Sequence, residues 1–218
     1  MSTQPSVGGP IYFIRNIVYH APGGSTRITN GSPGVFFYNN TILSETTAGA
    51  GANLHWRNNL MLPENSAAPI LSVNTYTNYS SSDYNGFGLK PGAQPAFQWN
   101  SPPWAVAAVD NNATTPKLEE RKYATFEDYV RETKQDQHSV VLDYDVFVNV
   151  PRLDGKDMKT VQKLYKASDY DFRLKPGSAA VDKGVVIPNV TDGFAGRAPD
   201  LGALEVGQAP PIYGPRPQ

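Results

Sequence analysis

The sequence predicts an all-β chain built as a β-solenoid. Apolar runs in the first 90 residues are short, as in 11–14 and 35–38, and turn-forming clusters such as 21–25 and 46–51 separate them. No amphipathic helix pattern occurs before residue 115. Short apolar runs between turn clusters are typical of β-strands. A repeat within these runs favours stacked coils over separate hairpins.

The repeat consists of alternating apolar residues, then an Asn, then an apolar residue two positions later. Its Asn residues are Asn16, Asn40, Asn59 and Asn85, which lie 24, 19 and 26 residues apart. A period of this size indicates a solenoid, and the strand-like composition makes it a β-solenoid. The residues three positions before each Asn are Phe13, Phe37, Trp56 and Ser82.

The repeated Asn has a physical explanation at the corner of a coil. Asn tolerates the left-handed backbone conformation that a sharp turn needs. An inward amide can also hydrogen-bond to the same Asn of the next coil. We therefore predict a structural ladder formed by Asn16, Asn40, Asn59 and Asn85. The alternative is that the Asn pairs only mark surface turns.

Composition excludes several classes of function. The chain has 218 residues, with 19 Lys plus Arg against 20 Asp plus Glu, so it lacks the basic footprint of a nucleic-acid binder. It contains no Cys, which excludes disulfides, thiolate metal sites and Cys nucleophiles. No apolar run approaches the roughly 18 residues of a membrane span. The first residues show no signal-peptide pattern.

We assign residues 1–90 to the coils, and residues 91–218 to a C-terminal packing segment of the same domain with a loose tail over 206–218. This segment begins Pro-rich and holds one clear helix, expected from the N-cap Thr125 to about Lys134.

Further elements are expected in the same segment. The apolar stretches 139–142 and 146–148 predict strands, and 156–166 predicts a second short helix.

Motifs in the second half resemble a known family. Residues 171–184 read DFRLKPGSAAVDKG, and residues 192–197 read DGFAGR, followed by DLGALE at 200–205. Residues 136–139 with 145–147 also resemble the segment that precedes such motifs. Together they are similar to the closing motifs of right-handed parallel β-helix proteins that bind or degrade polysaccharides.

The resemblance implies a short right-handed, single-stranded parallel β-helix, with one or two short α-helices in the packing segment. It also implies a parent protein that is secreted, either extracellular or periplasmic. It does not select an activity, because lyases, glycoside hydrolases and carbohydrate-binding modules share this ending. Members are usually longer, and this chain resembles their last third.

The outward residues of the coils are the candidate carbohydrate-binding site, because side chains alternate across a strand. Aromatic rings suit the apolar face of a sugar, while Arg and His hold carboxylates or hydroxyls. Alternatively, the C-terminal segment or a second copy of the chain covers this face. The candidate residues are Tyr12, Phe36, Tyr38, His55, Arg57 and Asp83.

Whether the chain is an enzyme stays open. A lyase needs a base and a cation beside a uronate carboxylate, which His55 and Arg57 could supply near Asp83, with Arg15 and His20 as weaker candidates. A hydrolase needs two carboxylates at a set separation. The acids of the coils, which fall at different offsets in the repeat, are Glu45, Glu64 and Asp83.

No cofactor or metal site is predicted, although Asp143 and Asp145 leave Ca²⁺ as an alternative. We expect the C-terminal acids to be structural, because carboxylates beside Gly turns bind backbone amides. These acids are Asp182, Asp192, Asp200 and Glu205, with Arg197 as a partner.

The leading hypothesis is a carbohydrate-recognising module whose partner is a polysaccharide. The alternatives are a fragment of a lyase or hydrolase, and a structural segment that forms homo-oligomers through the open end of the β-helix. Neither nucleic acid nor membrane is an expected partner.

Overall fold

A computed structural model describes residues 1–3, 8–21, 26–28, 32–44, 46–64, 69–89, 94–105, 117–154 and 156–210. The helices in these residues are α1 (Phe126–Thr133) and α2 (Met158–Gln162). The strands are β1 (Ser2–Thr3), β2 (Ile11–Ile14), β3 (Ile17–Val18), β4 (Arg27–Ile28), β5 (Val35–Tyr38), β6 (Thr41–Ile42), β7 (Thr46–Gly51), β8 (Leu54–Arg57), β9 (Leu60–Met61), β10 (Leu71–Thr75), β11 (Ser81–Asp83), β12 (Gly86–Gly88), β13 (Phe97–Asn100), β14 (Lys122–Tyr123), β15 (Val140–Leu142), β16 (Phe147–Asn149) and β17 (Asp171–Leu174).

Three sheets of mainly parallel strands contain 13 of the 17 described strands, as expected of an all-β chain. The first sheet is ordered β11-β8-β5-β2, and the second is ordered β15-β12-β9-β6-β3. The third is ordered β13-β10-β7, with β14 added antiparallel to β13. The chain visits the three sheets in rotation, because β5, β6 and β7 belong to different sheets and β8, β9 and β10 repeat the same order.

The register of the first sheet stacks the repeated aromatic residues inside the molecule. Phe37 pairs with Phe13 on one side and with Trp56 on the other. The rings of Phe13 and Phe37 lie 5.0 Å apart, and those of Phe37 and Trp56 lie 5.5 Å apart and nearly parallel. Phe37 and Trp56 are buried. The neighbouring positions on these strands therefore face outward.

The corner between the first and second sheets differs in one detail from the sequence prediction. The left-handed residue is the one before each repeated Asn, not that Asn itself. Arg15, Asn39, Asn58 and Tyr84 have φ between 53° and 59°. Because the preceding residue makes the turn, the side chain of the repeated Asn is free to point inward.

The parallel sheets continue beyond residue 90, since β13 pairs with β10 and β15 pairs with β12. Helix α1 packs against β13 through Tyr129, which joins the core cluster and whose ring stacks on Phe97 at 4.8 Å. As predicted, Thr125 caps the helix by accepting a hydrogen bond from the backbone N–H of Asp128. The helix ends at Thr133, and Lys134, with φ 59°, is its C-cap. The second helix, α2, lies within the stretch expected to hold one.

The last described segment covers the outer face of the second sheet and the adjoining corner. Leu201 packs with Leu60 in a buried cluster on the outside of β9. The backbone N–H of Gly202 donates to Asn58 O at 2.7 Å, and the Arg15 guanidinium donates to Ala203 O at 3.0 Å. These contacts fix the C-terminal segment beside the first sheet rather than over it.

Candidate functional site

The strand face, the outward surface of the first sheet, carries the candidate binding residues in two straight rows. Strand pairing aligns the first row as Tyr12, Phe36, His55 and Ser81. It aligns the second row as Ile14, Tyr38, Arg57 and Asp83. Neighbouring strands lie about 4.8 Å apart, so each row presents one side chain at that interval.

The aromatic part of the strand face is a stacked row of rings. Tyr12 lies 4.9 Å from Phe36 with an interplanar angle of 18°, and Phe36 lies 5.1 Å from His55 with an angle of 16°. Tyr38 is tilted by 54° against Phe36. Stacked rings cover each other's faces, so the rings inside the row have little free face for a sugar. Tyr12 ends the row and is 53% exposed, so its outer face is the one on which a sugar can stack.

The basic part of the strand face is organised by Ser81. Its hydroxyl oxygen lies 2.8 Å from His55 Nδ1 and accepts a hydrogen bond from Arg57 Nη2 at 2.8 Å. A second donor, Arg57 Nη1, binds Trp56 O at 2.7 Å. Burial, and then the Arg57 charge, lower the pKa of His55, so its ring is neutral at pH 7.

Arg57 is the uncompensated charge of this face. Among the residues that the structure describes, no carboxylate oxygen lies within 4.0 Å of its guanidinium nitrogens. The two hydrogen bonds to Ser81 and Trp56 hold the planar group in position without neutralising it. A fixed guanidinium of this kind suits a carboxylate ligand, which it can bind through charge-assisted hydrogen bonds.

Asp83 shares the second row with Arg57 but is occupied by another partner. Its carboxylate accepts a hydrogen bond from the backbone N–H of His138 and lies 2.8 Å from Nδ1 of the same residue. It also accepts a hydrogen bond from the backbone N–H of Tyr84. His138 in turn stacks on Tyr84 at 4.7 Å. Asp83 therefore anchors the turn around His138, which gives it a structural role.

The repeated Asn side chains form a continuous hydrogen-bonded series inside the corner. Each Nδ2 donates to the Oδ1 of the next residue, at 2.9 Å from Asn16 to Asn40, 2.9 Å from Asn40 to Asn59 and 3.0 Å from Asn59 to Asn85. Each Oδ1 also accepts the backbone N–H of the preceding member. The last three are buried.

Sequence reasoning missed the fifth member of this series, Asp136. Asn85 Nδ2 donates to its Oδ1 at 3.0 Å, and the Tyr129 hydroxyl donates to its Oδ2 at 2.9 Å. Complete burial raises the pKa of Asp136, although hydrogen bonds, first that from Ser139, partly oppose the shift. Its position 51 residues after Asn85 hid it, because β14 and α1 lie between β13 and Asp136 and lengthen this repeat.

The remaining acids of the coils do not form a catalytic pair in the described part of the chain. Glu64 is 5% exposed and accepts the backbone N–H of His20, and burial raises its pKa. Glu45 lies outside the described residues. The weaker candidates for lyase residues contact backbone carbonyl groups. Arg15 donates a hydrogen bond to Ala203 O, and His20 Nε2 lies 2.7 Å from Val161 O.

The C-terminal acids bind backbone amides. Asp182 accepts from the N–H groups of Arg197 and Ala198, and these hydrogen bonds lower its pKa. Asp200 and Glu205 accept further backbone N–H groups, while burial raises the pKa of each. Asp143 pairs with Arg152. Across the described ranges, no group of three or more His, Cys, Asp or Glu could hold a metal ion.

Comparison of the chain with protein families, curated proteins and solved structures found no match. None of the described helices is long and apolar enough to cross a bilayer. The case for a function therefore depends on the geometry of the molecule itself.

Proposed function

We propose that the chain is a right-handed parallel β-helix module that binds an acidic polysaccharide along its strand face. The observation that carries the proposal is the fixed, uncompensated Arg57 beside the aromatic residues Tyr12, Phe36 and Tyr38. Such a module acts where polysaccharides occur, outside the cell or in the periplasm.

The β-helix architecture is supported by the rotation of the chain through three parallel sheets and by the stacked Asn side chains. Right-handedness is supported by a general rule, since about 98% of connections between parallel strands of one sheet are right-handed. The repeated strands then align equivalent outward residues, which gives an extended polymer a straight path across the coils.

Recognition of an acidic chain divides between the two rows. The Arg57 guanidinium binds a sugar carboxylate, while the exposed ring of Tyr12 packs against the apolar face of a neighbouring sugar. Neutral His55 and the Tyr38 hydroxyl supply hydrogen bonds to sugar hydroxyls. Burial raises the pKa of Tyr38, which keeps its hydroxyl protonated at neutral pH.

The test compares binding of a uronic-acid polymer with binding of a neutral glucan by affinity electrophoresis and calorimetry. We expect the uronate polymer to bind, and Arg57→Gln to weaken it by about tenfold or more, since a hydrogen bond to a charged group contributes about 1.5–3 kcal/mol. Arg131→Gln is the matched control, because this guanidinium is exposed on α1, which packs against β13 and β14 of the third sheet. Equal affinity of the Arg57→Gln variant and wild type contradicts the proposal.

The same samples distinguish the enzymatic alternative. A lyase that acts on uronates creates a C=C bond that absorbs ultraviolet light. Rising absorbance that is lost in His55→Gln would make the chain a lyase, with His55 as the base and Arg57 as the group that neutralises the carboxylate.

The assembly alternative is favoured by one observation, the position of β2 and β3 as end strands of two parallel sheets. An unpaired strand edge is a template for pairing with another chain. Sedimentation at micromolar concentration tests it, and a monomer would exclude assembly through this edge.

A further inference from the structure

A second concave site lies on the opposite side of the corner from the strand face. It is an open groove of about 530 Å³, formed where β3 and the residues after it meet the segment that runs from the end of α2 into β17. This volume is within the range of small-molecule sites, about 300–1,000 Å³. The two parts of the groove come from residues 17–20 and residues 163–172, which are far apart in sequence.

The walls of the groove are aromatic, and their rings are inclined rather than stacked. Tyr19 lies 5.1 Å from Tyr170 at 72° and 6.5 Å from Tyr165 at 65°. Tyr165 and Tyr170 lie 5.5 Å apart at 44°. In an inclined pair the edge of one ring meets a face of the other, so only one of the two rings has a face covered, whereas each pair in the stacked row of the strand face covers a face of both rings. The groove therefore offers ring faces on which a sugar can pack.

The rim of the groove is basic. Lys163 and Lys166 both line it, and the Lys163 ammonium lies 5.2 Å from the centroid of the Tyr165 ring. Within the described ranges, neither ammonium has a carboxylate oxygen within 4.0 Å. Two cations that line an aromatic groove are complementary to a sugar ring that carries a negative charge.

Two acids beside the groove accept backbone amides of residues that line it. Glu64 is buried behind it and accepts the backbone N–H of His20. Asp169 accepts the backbone N–H of Lys166. The lip is apolar, since Leu164 is 95% exposed. An exposed leucine beside two lysines gives the groove one apolar edge and one cationic edge.

We infer that this groove binds a single acidic sugar residue, with its ring between the tyrosines and its carboxylate at Lys163 and Lys166. The inference rests on the proposed function for the class of ligand, but the site itself is independent of the strand face. The two sites together would hold one acidic polymer at two points of the same module, or two different chains.

The test uses monomeric glucuronate as the probe and glucose as the neutral control, with binding followed by saturation-transfer NMR. We expect glucuronate to bind, glucose to give no signal, and the double variant Lys163→Gln/Lys166→Gln to bind about 5- to 10-fold more weakly, because the carboxylate loses two cationic partners. Leu164→Asp places a negative charge on the exposed lip and should weaken binding similarly without affecting the core.

Matched controls separate this inference from the proposed function. Lys159→Gln removes an exposed charge from α2 and should leave glucuronate binding unchanged. Absence of glucuronate binding, or equal binding by wild type and the double lysine variant, overturns the inference. Polymer binding that does not respond to Arg57→Gln overturns the proposed function instead, whatever the groove does.

Discussion

Replacing Asn59 with alanine tests the energetic importance of the corner hydrogen bonds. The Asn59 side chain makes four hydrogen bonds within the coils. Its Nδ2 donates to Phe37 O at 2.9 Å and to Asn85 Oδ1 at 3.0 Å, and its Oδ1 accepts from the backbone N–H and the Nδ2 of Asn40 at 3.0 and 2.9 Å. Asn59 is 0% exposed, so water cannot replace these partners without opening the coil.

The expected loss follows from these contacts. Each hydrogen bond contributes about 1 kcal/mol net, and a buried group left without a partner costs about 1–3 kcal/mol. Asn59→Ala should therefore lower the free energy of unfolding by about 3–5 kcal/mol, because the buried Asn40 N–H loses its acceptor. Urea unfolding followed by circular dichroism measures the change.

Asn16→Ala is the matched control at the end of the series. Among the described residues, its side chain donates to Asn40 Oδ1 and Ile14 O, and the residue is partly exposed, so water can satisfy the groups left behind. We expect a loss of about 1 kcal/mol. A loss below about 1 kcal/mol for Asn59→Ala, or equal losses for both variants, would refute the reasoning.

Three further predictions concern the packing of the C-terminal half. Burial raises the folded-state pKa of Asp136, so wild type should lose stability as pH rises from about 4 through that pKa. Asp136→Asn should therefore gain stability relative to wild type as pH rises above about 4, and a difference in unfolding free energy that does not change with pH would contradict this. Thr125→Ala removes the acceptor for the Asp128 amide and should cost about 1 kcal/mol, which Thr125→Ser should largely restore. Gly202→Ala should lower the melting temperature, because φ is +90° and a Cβ would lie 2.7 Å from the Leu60 side chain; an unchanged melting temperature would count against this packing.

The repeat could be read from the sequence because equivalent residues stack in register. Phe13, Phe37 and Trp56 occupy one inward row, and the alternation of a strand then fixes the outward rows on either side. The Asn spacing likewise indicated that the side chains would meet. The predicted position of the left-handed residue was wrong by one, because it precedes the repeated Asn. Local preference does not determine which residue of the corner makes the turn and which points its side chain inward.

Contacts between distant parts of the chain could not be read in the same way. Asp83 binds His138, 55 residues away, so it anchors a turn rather than joining Arg57. The groove forms only when Tyr19 meets Tyr165 and Tyr170. Such pairings depend on the path of the C-terminal segment over the sheets, and no periodic signal encodes that path.

The most direct test of the central claim is an NMR titration of the protein with a short uronic-acid oligomer. The signals to follow are the Arg57 Nε–H and the aromatic protons of Tyr12 and Phe36, with the Arg131 Nε–H as an internal reference. The account predicts saturable shifts at all three strand-face residues and none at Arg131. Shifts confined to other surfaces, or no shifts at Arg57 with saturating oligomer, would contradict binding on the strand face.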